Sequence, residues 1–205
     1  MPLKIIHPDH TEIMGRGLVL LSSPSYTANR RDLDTGQIVE EAALLCKSWA
    51  IIAKENKQIS MGNETQSAKS DLVKRVNEFV EEYGIRCAIL VSGIAEPGIT
   101  VKSQMADSES EDILDIIRSG LEPHFTVNPK ADQSTNTSPG PQINRGKADS
   151  SSKHSVHTVR IDLGPEERGF RKDQVVNSIA DIVGLINMKL GFSETEEERS
   201  SSALD

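Results

Sequence analysis

Apolar residues in the first part of the chain fall into short continuous runs and into stripes of helical spacing. The run GLVLLSS at residues 17–23 stops at a loop rich in Ser and Pro, and it predicts a buried first strand. The next segment, GQIVEEAALLCKSWA, carries apolar residues at helical spacing and predicts a helix capped by Asp34 or Thr35. The run AIIA at residues 50–53 fits either a second strand or a continuation of that helix.

Further along, a helical stripe precedes a continuous apolar run. The segment SDLVKRVNEFVEEYG, residues 70–84, predicts a helix that closes at its glycine. IRCAILVSG, residues 85–93, predicts a central strand that is covered on both faces. EDILDIIRSG, residues 111–120, predicts a short helix capped by Ser108 or Ser110. A helix followed by a buried strand indicates a βαβ crossover.

A polar stretch then interrupts the pattern. Residues 128–153 are rich in Ser, Pro, Asn and Gly, and they hold too few core-forming side chains to offset the entropy of ordering. We therefore expect a flexible insertion. After it, SVHTVRIDLG at 155–164 predicts a strand and KDQVVNSIADIVGLINMKLG at 172–191 predicts a closing helix. Residues 193–205 predict an acidic disordered tail.

This order of elements predicts an α/β fold with a mainly parallel sheet flanked by helices, a three-layer α/β/α single domain. Residues 17–127 form its first part, and residues 154–192 supply its final strand and helix. Residues 1–16 are assigned only as an N-terminal segment.

Composition and charge limit the classes of partner that we expect this protein to bind. A chain of 205 residues with 36% hydrophobic and only 3% aromatic residues predicts one domain with an aliphatic core. Lys and Arg number 23 against 31 Asp and Glu, and the net charge of -8 repels nucleic acid and anionic membrane surfaces. Because no apolar run reaches the roughly 18 residues of a membrane span, we expect a cytoplasmic protein.

Functional groups of a parallel sheet gather beyond the carboxyl ends of its strands, here in SSPSY, VSGIAEPG and RIDLGPEER. The serines of the first loop, Ser22, Ser23 and Ser25, are candidate nucleophiles. No GxSxG motif surrounds them, and polar turn residues explain them better. Ser92 and Gly93 either expose a hydroxyl at a strand end or form a tight turn, and the turn is favoured.

Asp162 is the most informative acidic residue. It ends an apolar strand and precedes Arg168, so it is either a carboxylate at the active edge of the sheet or half of a structural ion pair. The sequence alone leaves both interpretations open.

Histidines offer weaker signals. His7, His10 and Glu12 in HPDHTE have the residue types of a metal cluster, but His-x-x-His is a weak spacing, and a flexible N-terminus seldom holds ligands rigidly. The sequence therefore assigns no metal ligand. His154 and His157 lie three apart on a presumed strand and would point to opposite faces.

Three segments together resemble the N-formylglutamate amidohydrolase-like family, which is zinc-dependent: GLVLLSSPSY, RCAILVSGIAEPG and VHTVRIDLGPEER. By this resemblance three residues match the family: Pro24 in the first motif, Gly93 in the second and the later Arg168. Two residues differ from it, since Arg160 stands where the family has Gln and Asp162 stands where it has Glu. Ser25 and Ser92 stand where the family has histidine ligands, so the resemblance implies a degenerate member.

Two functions follow from the resemblance. In the first, the chain hydrolyses a small amide or acyl-amino-acid substrate: Asp162 acts as acid/base, Arg168 grips a carboxylate, and Ser25, Ser92, Gly93 and Arg160 contact the substrate. Zinc is a cofactor only if the family chemistry survives. In the second, the chain is a catalytically inactive member that binds a small-molecule or protein ligand.

Overall fold

The computed structural model describes residues 2–23, 34–54, 64–103, 107–128 and 156–192, with only the backbone described for residues 64–73. The strands in these ranges are β1 (Leu3–Ile6), β2 (His10–Met14), β3 (Val19–Ser23), β4 (Trp49–Ala53), β5 (Cys87–Gly93), β6 (Ile99–Ser103), β7 (Val127–Asn128) and β8 (His157–Leu163). The helices are α1 (Thr35–Cys46), α2 (Glu64–Tyr83), α3 (Ser108–Leu121), α4 (Pro165–Arg168) and α5 (Lys172–Lys189).

All eight strands belong to one sheet, in the order β1-β2-β4-β3-β5-β8-β6-β7. The four central strands, β4, β3, β5 and β8, are parallel. Antiparallel pairs flank them, with β2 against β4 on one side and β6 against β8 on the other. The predicted α/β fold class is confirmed.

Helices cover both faces of this sheet. On one face α1, α3 and α5 pack on the larger apolar cluster, which includes Leu21, Ile89 and Ile161. On the other face α2 packs through Val76 and Phe79 on a smaller cluster of strand residues. Because strand side chains alternate between faces, β8 gives Val159, Ile161 and Leu163 to the first face and leaves Arg160 and Asp162 for the second.

The N-terminal residues differ from the flexible segment expected. Residues 3–14 form the hairpin β1-β2, and β2 joins the sheet by pairing with β4. The pattern of LKIIHPDHTEIM did not show this because the side chains of β1 are mostly exposed and carry no alternation. Pairing with a strand some 40 residues away fixes the hairpin, and local sequence does not record that contact.

Two strands on the other side were also missed. β6 pairs antiparallel with β8, and the short β7 pairs with β6. The chain turns into β6 through Gly98, whose φ of +86° is accessible mainly to glycine. The sequence ITVKS of β6 is short, and two of its residues are half-buried, so its apolar signal is weak.

The ambiguous segment after α1 is a strand. α1 ends at Cys46, Lys47 adopts a left-handed conformation with φ of 56°, and β4 begins at Trp49. The start of α3 also differs from expectation, since Asp107, and not Ser108 or Ser110, is the cap: its side chain accepts from the Ser110 backbone N–H at 2.8 Å.

The predicted insertion at 128–153 and the predicted tail at 193–205 lie outside the described residues, apart from Asn128 at the end of β7. Among the described helices, none combines the length and the apolar character needed to cross a membrane.

Candidate functional site

Polar side chains replace apolar ones where β5, β8 and β6 approach the carboxyl edge of the central strands. Ser92, Asp162 and Thr100 are register partners across these three strands. Arg160 and Lys102 are partners two residues earlier along β8. Since residues two apart on a strand share a face, the five side chains lie together on the α2 side of the sheet. We call this group the Asp162 cluster.

Asp162 is the centre of the cluster, and its side chain is only 1% exposed. Its Oδ1 accepts hydrogen bonds from Ser92 Oγ at 2.5 Å and from Arg160 Nε at 2.6 Å. Lys102 Nζ reaches Oδ2 at 3.4 Å, and Arg160 Nε also lies 3.1 Å from Ser92 Oγ. Both carboxylate oxygens are therefore engaged by donors.

The charges of the cluster do not cancel. Burial of a carboxylate is costly unless cations and hydrogen bonds compensate for the lost hydration. Arg160 and Lys102 provide this compensation for Asp162. One carboxylate and two cations leave a local formal charge of +1. Arg160 and Lys102 remain 27% and 37% exposed, so this positive charge faces solvent.

The structure brings Ser92, Arg160 and Asp162 together, as the sequence suggested, with Gly93 as the last residue of β5. Arg168 has other contacts. It is buried, its Nε donates to the Leu163 carbonyl and its Nη2 donates to the Ile94 carbonyl, both at 3.2 Å. These bonds tie the chain after β8 to the chain after β5. Ser25 lies outside the described residues.

Two serines of the first loop are buried at the end of β3. Ser23 Oγ shares a hydrogen bond with Thr35 Oγ1 at 3.0 Å, which joins β3 to α1. Ser22 Oγ has no hydrogen-bond partner in the described part of the chain. Among the described residues, therefore, no base is hydrogen-bonded to either serine hydroxyl.

Lys102 and Thr100 belong to the site, and sequence reasoning missed both. The signal available was the alternation Ile99, Thr100, Val101, Lys102, the two-residue period of a half-buried strand. It needed β6 to be recognised, and β6 was not.

A second polar group lies at the same edge, on the N-terminal hairpin. Donor atoms of His7, His10 and Glu12 all lie within 4.8 Å of one another. Arg75 on α2 donates to the Glu12 carboxylate through Nε at 2.6 Å and through Nη2 at 3.2 Å. Burial raises the pKa of Glu12, but hydrogen bonds from Arg75 and His10 outweigh burial and bring that pKa down to about 2.

These two groups are separate. Glu12 and Arg160 lie on the same face of the sheet. They are connected by register partners on the three strands between them, Ile51 on β4, Ser22 on β3 and Leu90 on β5. Four strand spacings of about 4.8 Å separate them by about 19 Å.

The zinc site that the resemblance implies has no ligand set in the described part of the Asp162 cluster. Ser92 stands where the family has a histidine, and its hydroxyl is bonded to Asp162. The cluster offers one carboxylate, already neutralised by two cations, and no imidazole or thiolate. The described residues of this cluster therefore do not fit zinc.

Comparisons with known proteins were made on sequence and on structure. No family model matches the chain, and no curated protein matches it. A bacteriophage poly-gamma-glutamate hydrolase superposes with a TM-score of 0.55 at 12% identity, over 91% of this chain and 91% of its own. The CwlD amidase from Clostridioides difficile, solved in complex with the GerS lipoprotein, superposes with a TM-score of 0.54 at 10% identity, over 83% of this chain and 98% of its own. The chain shares their fold.

At these identities the likeness concerns the fold alone. It supports the α/β fold that the resemblance implies. Neither protein is described as an N-formylglutamate amidohydrolase, so that narrower resemblance stays a prediction.

Proposed function

We propose that this protein binds a small carboxylate-bearing amide, such as an N-acylated amino acid, through Arg160 and Lys102. The observation that carries the proposal is the local charge of +1 at the Asp162 cluster, in a chain whose net charge is -8. Within the described residues Arg160 donates only through Nε. Its two terminal nitrogens are therefore positioned to pair with a carboxylate in the two-pronged geometry that guanidinium favours.

The ligand class follows from two lines of support. The anionic part is required by the positive charge of the cluster. The amide part is suggested by the fold neighbours, one named a poly-gamma-glutamate hydrolase and the other an amidase, and by the resemblance to the N-formylglutamate amidohydrolase-like family. Carboxyl edges of parallel strands are also where α/β domains hold small ligands.

Binding without turnover agrees best with the geometry of Asp162. A general base must reach the proton that it removes. Asp162 is 1% exposed, and its oxygens already accept from Ser92, Arg160 and Lys102. Its role in this proposal is to position the two cations.

A second candidate function is hydrolysis of such an amide. One observation favours it: Ser92 Oγ donates to Asp162 Oδ1 at 2.5 Å, which is the contact between a nucleophile and its base. In that case Asp162 would receive the hydroxyl proton as Ser92 attacks the amide carbonyl, and would pass it to the leaving nitrogen as the C–N bond breaks. Water would then release the acyl group from Ser92 as a carboxylic acid.

The test measures binding of N-formylglutamate by calorimetry to wild type and to Arg160→Gln and Lys102→Gln. Lys189→Gln is the control, because Lys189 also pairs with a carboxylate, Asp112, but on the surface of α5. We expect each cluster variant to weaken binding by about tenfold or more and the control to leave it unchanged. Equal affinity in all four proteins would contradict the proposal.

The same mixtures decide between the two functions. Chromatographic detection of free glutamate after incubation with wild type, absent with Ser92→Ala, would establish hydrolysis. Binding without product would establish the ligand-binding role.

A further inference from the structure

The N-terminal hairpin gathers three side chains that the Asp162 cluster does not use. Its turn is closed by the His7 backbone N–H, which donates to the His10 carbonyl at 2.9 Å. His10 and Glu12 are two apart on β2 and therefore share a face. The ring of His7 stacks on the ring of His10, with centroids 4.3 Å apart and planes within 10°. This stacking brings the His7 donor atom beside the other two.

Two nitrogen atoms in this group are placed to bind a metal ion. Nε2 of His7 is buried and, among the described residues, has no hydrogen-bond partner, although it lies 3.6 Å from Glu12 Oε2. Both nitrogens of His10 face carboxylate oxygens, Nδ1 against Asp9 at 2.8 Å and Nε2 against Glu12 at 3.0 Å. When a neutral His10 donates from Nδ1 to Asp9, its Nε2 lone pair faces the Glu12 carboxylate, and a positive charge between the two would bind both.

A metal ion supplies that charge in a suitable geometry. Ligand atoms at about 2.1 Å from a tetrahedral zinc ion lie about 3.4 Å from each other. Glu12 Oε1 lies 3.0 Å from His10 Nε2, and the other oxygen, Oε2, lies 3.6 Å from His7 Nε2; one ligand atom from each of the three residues lies within 4.8 Å of the others. Two histidines and one glutamate are also a known donor set for zinc. Asp9 on His10 Nδ1 provides the outer hydrogen bond that fixes a metal-binding imidazole.

The charges around the group are balanced. Asp9, Glu12 and Glu78 contribute three carboxylates. Arg75, Lys54 and Lys74 contribute three cations, of which Lys54 bonds to the His7 carbonyl and Lys74 lies 3.8 Å from Glu78. Arg75 occupies one side of the Glu12 carboxylate, and Oε2 retains a further acceptor position on the side of His7.

From these contacts we infer that His7, His10 and Glu12 form a site for one divalent transition-metal ion, with zinc as the best match. Asp9 is a positioning residue that acts through His10. The three residues leave a fourth ligand position to be filled by a group outside this set. The site lies about 19 Å from the Asp162 cluster and does not depend on the function proposed for it.

The test uses full-length protein without an affinity tag, stripped with chelator and then titrated with zinc against a chromophoric competitor. We expect one equivalent to bind to wild type. His7→Gln and His10→Gln should each weaken binding by at least about tenfold, and Asp9→Asn by about 10- to 100-fold. His124→Gln is the matched control, because His124 is an exposed histidine outside the hairpin, and it should bind as wild type does.

Cobalt binding to wild type and to His7→Gln provides a second measurement. A tetrahedral site gives a visible absorption band with Co²⁺, and His7→Gln should remove it. His7 is partly exposed, so this variant tests binding even if His10→Gln fails to fold. Absence of stoichiometric zinc in wild type, or wild-type affinity in His7→Gln, would overturn the proposal.

Discussion

Asp162 and Glu12 are buried carboxylates on the same face of the sheet, and an arginine neutralises each of them. Asp162 is 1% exposed and bonds to Arg160, two residues away on the same strand. Glu12 is 2% exposed and bonds to Arg75, 63 residues away on α2. An unpaired charge in either place would be costly. Local sequence shows the first pair, and only the packing of α2 on β2 creates the second.

The Glu12 pair predicts a pH dependence of stability. Its carboxyl has a pKa of about 2 in the folded protein, against an ordinary glutamate value of 4.5. Between these values the unfolded chain binds more protons, so the stabilisation is complete above pH 4.5 and is lost as pH falls toward 2. Allowing for solvent screening, we expect a loss of about 1–2 kcal/mol that Glu12→Gln does not show.

Urea denaturation at several pH values between 2 and 6, with chelator present throughout, measures this difference. The chelator keeps metal binding from contributing to the free energy of unfolding. Parallel curves for wild type and Glu12→Gln over that range would disprove the assignment.

Two residues of the Asp162 cluster could be picked out from the sequence for a physical reason. Ser92 and Asp162 lie on long buried strands, where a polar residue is conspicuous among apolar neighbours, whereas Arg160 was suggested by the family resemblance alone. Lys102 was missed because it lies on a short strand whose identity depends on pairing with β8. Arg168 was expected to contact the ligand, but its described hydrogen bonds go to the backbone carbonyls of Leu163 and Ile94. Bonds to backbone carbonyls leave no pattern in the sequence from which they could be predicted.

At the scale of elements, α3 shows how one side chain determines the residue at which a helix begins. Asp107 accepts from the Ser110 N–H at 2.8 Å, and Glu109 and Glu111 add negative charge to the first turn. Replacing Asp107 by Ala removes the cap, and we expect the melting temperature to fall by a few degrees. Asp107→Ser keeps an oxygen that accepts the same bond and should restore most of the loss.

Thermal melts followed by circular dichroism compare the three proteins. Asp115→Ala is a control within the same helix, because Asp115 is 76% exposed and does not cap the helix. An unchanged melt for Asp107→Ala would show that the cap contributes nothing.

Long elements were predictable, and most short ones were not, although the five-residue strand β3 was predicted from its apolar run. The stripe of α2 and the continuous run of β5 contain enough apolar positions to define their period. β1, β2 and β6 have four or five residues each and depend on partners elsewhere in the sheet. The end of α1 could be located only from the backbone conformation, because the helix ends where Lys47 adopts a left-handed conformation.

At the scale of the whole molecule, one sheet joins two apolar clusters of different size. Trp49, the chain's one tryptophan, stacks on Tyr83 with centroids 4.2 Å apart and meets Phe79 edge-on at 6.1 Å. Its fluorescence therefore reports the smaller cluster under α2, whereas far-UV circular dichroism reports all helices. If the clusters unfold together, the two signals should give coincident urea transitions.

The variant Phe79→Ala gives a further test of whether the two clusters unfold together. Phe79 is fully buried, and its truncation should lower the free energy of unfolding by about 3–5 kcal/mol. Because β3 and β4 contribute residues to both clusters, both signals should shift to the same lower urea midpoint. Separate transitions in the variant would show that α2 and its cluster unfold independently of the rest.

The sequence by itself determined the class of fold, because the spacing of apolar residues sets which segments are helices and which are buried strands, and their order implies a mainly parallel sheet. It also marked the polar residues at the ends of β5 and β8. The tertiary structure decided which distant residues meet. Pairing of β2 with β4 placed His7, His10 and Glu12 at the carboxyl edge, and pairing of β6 with β8 placed Lys102 beside Asp162. Such pairings depend on contacts between segments far apart in the chain, which local periodicity does not encode.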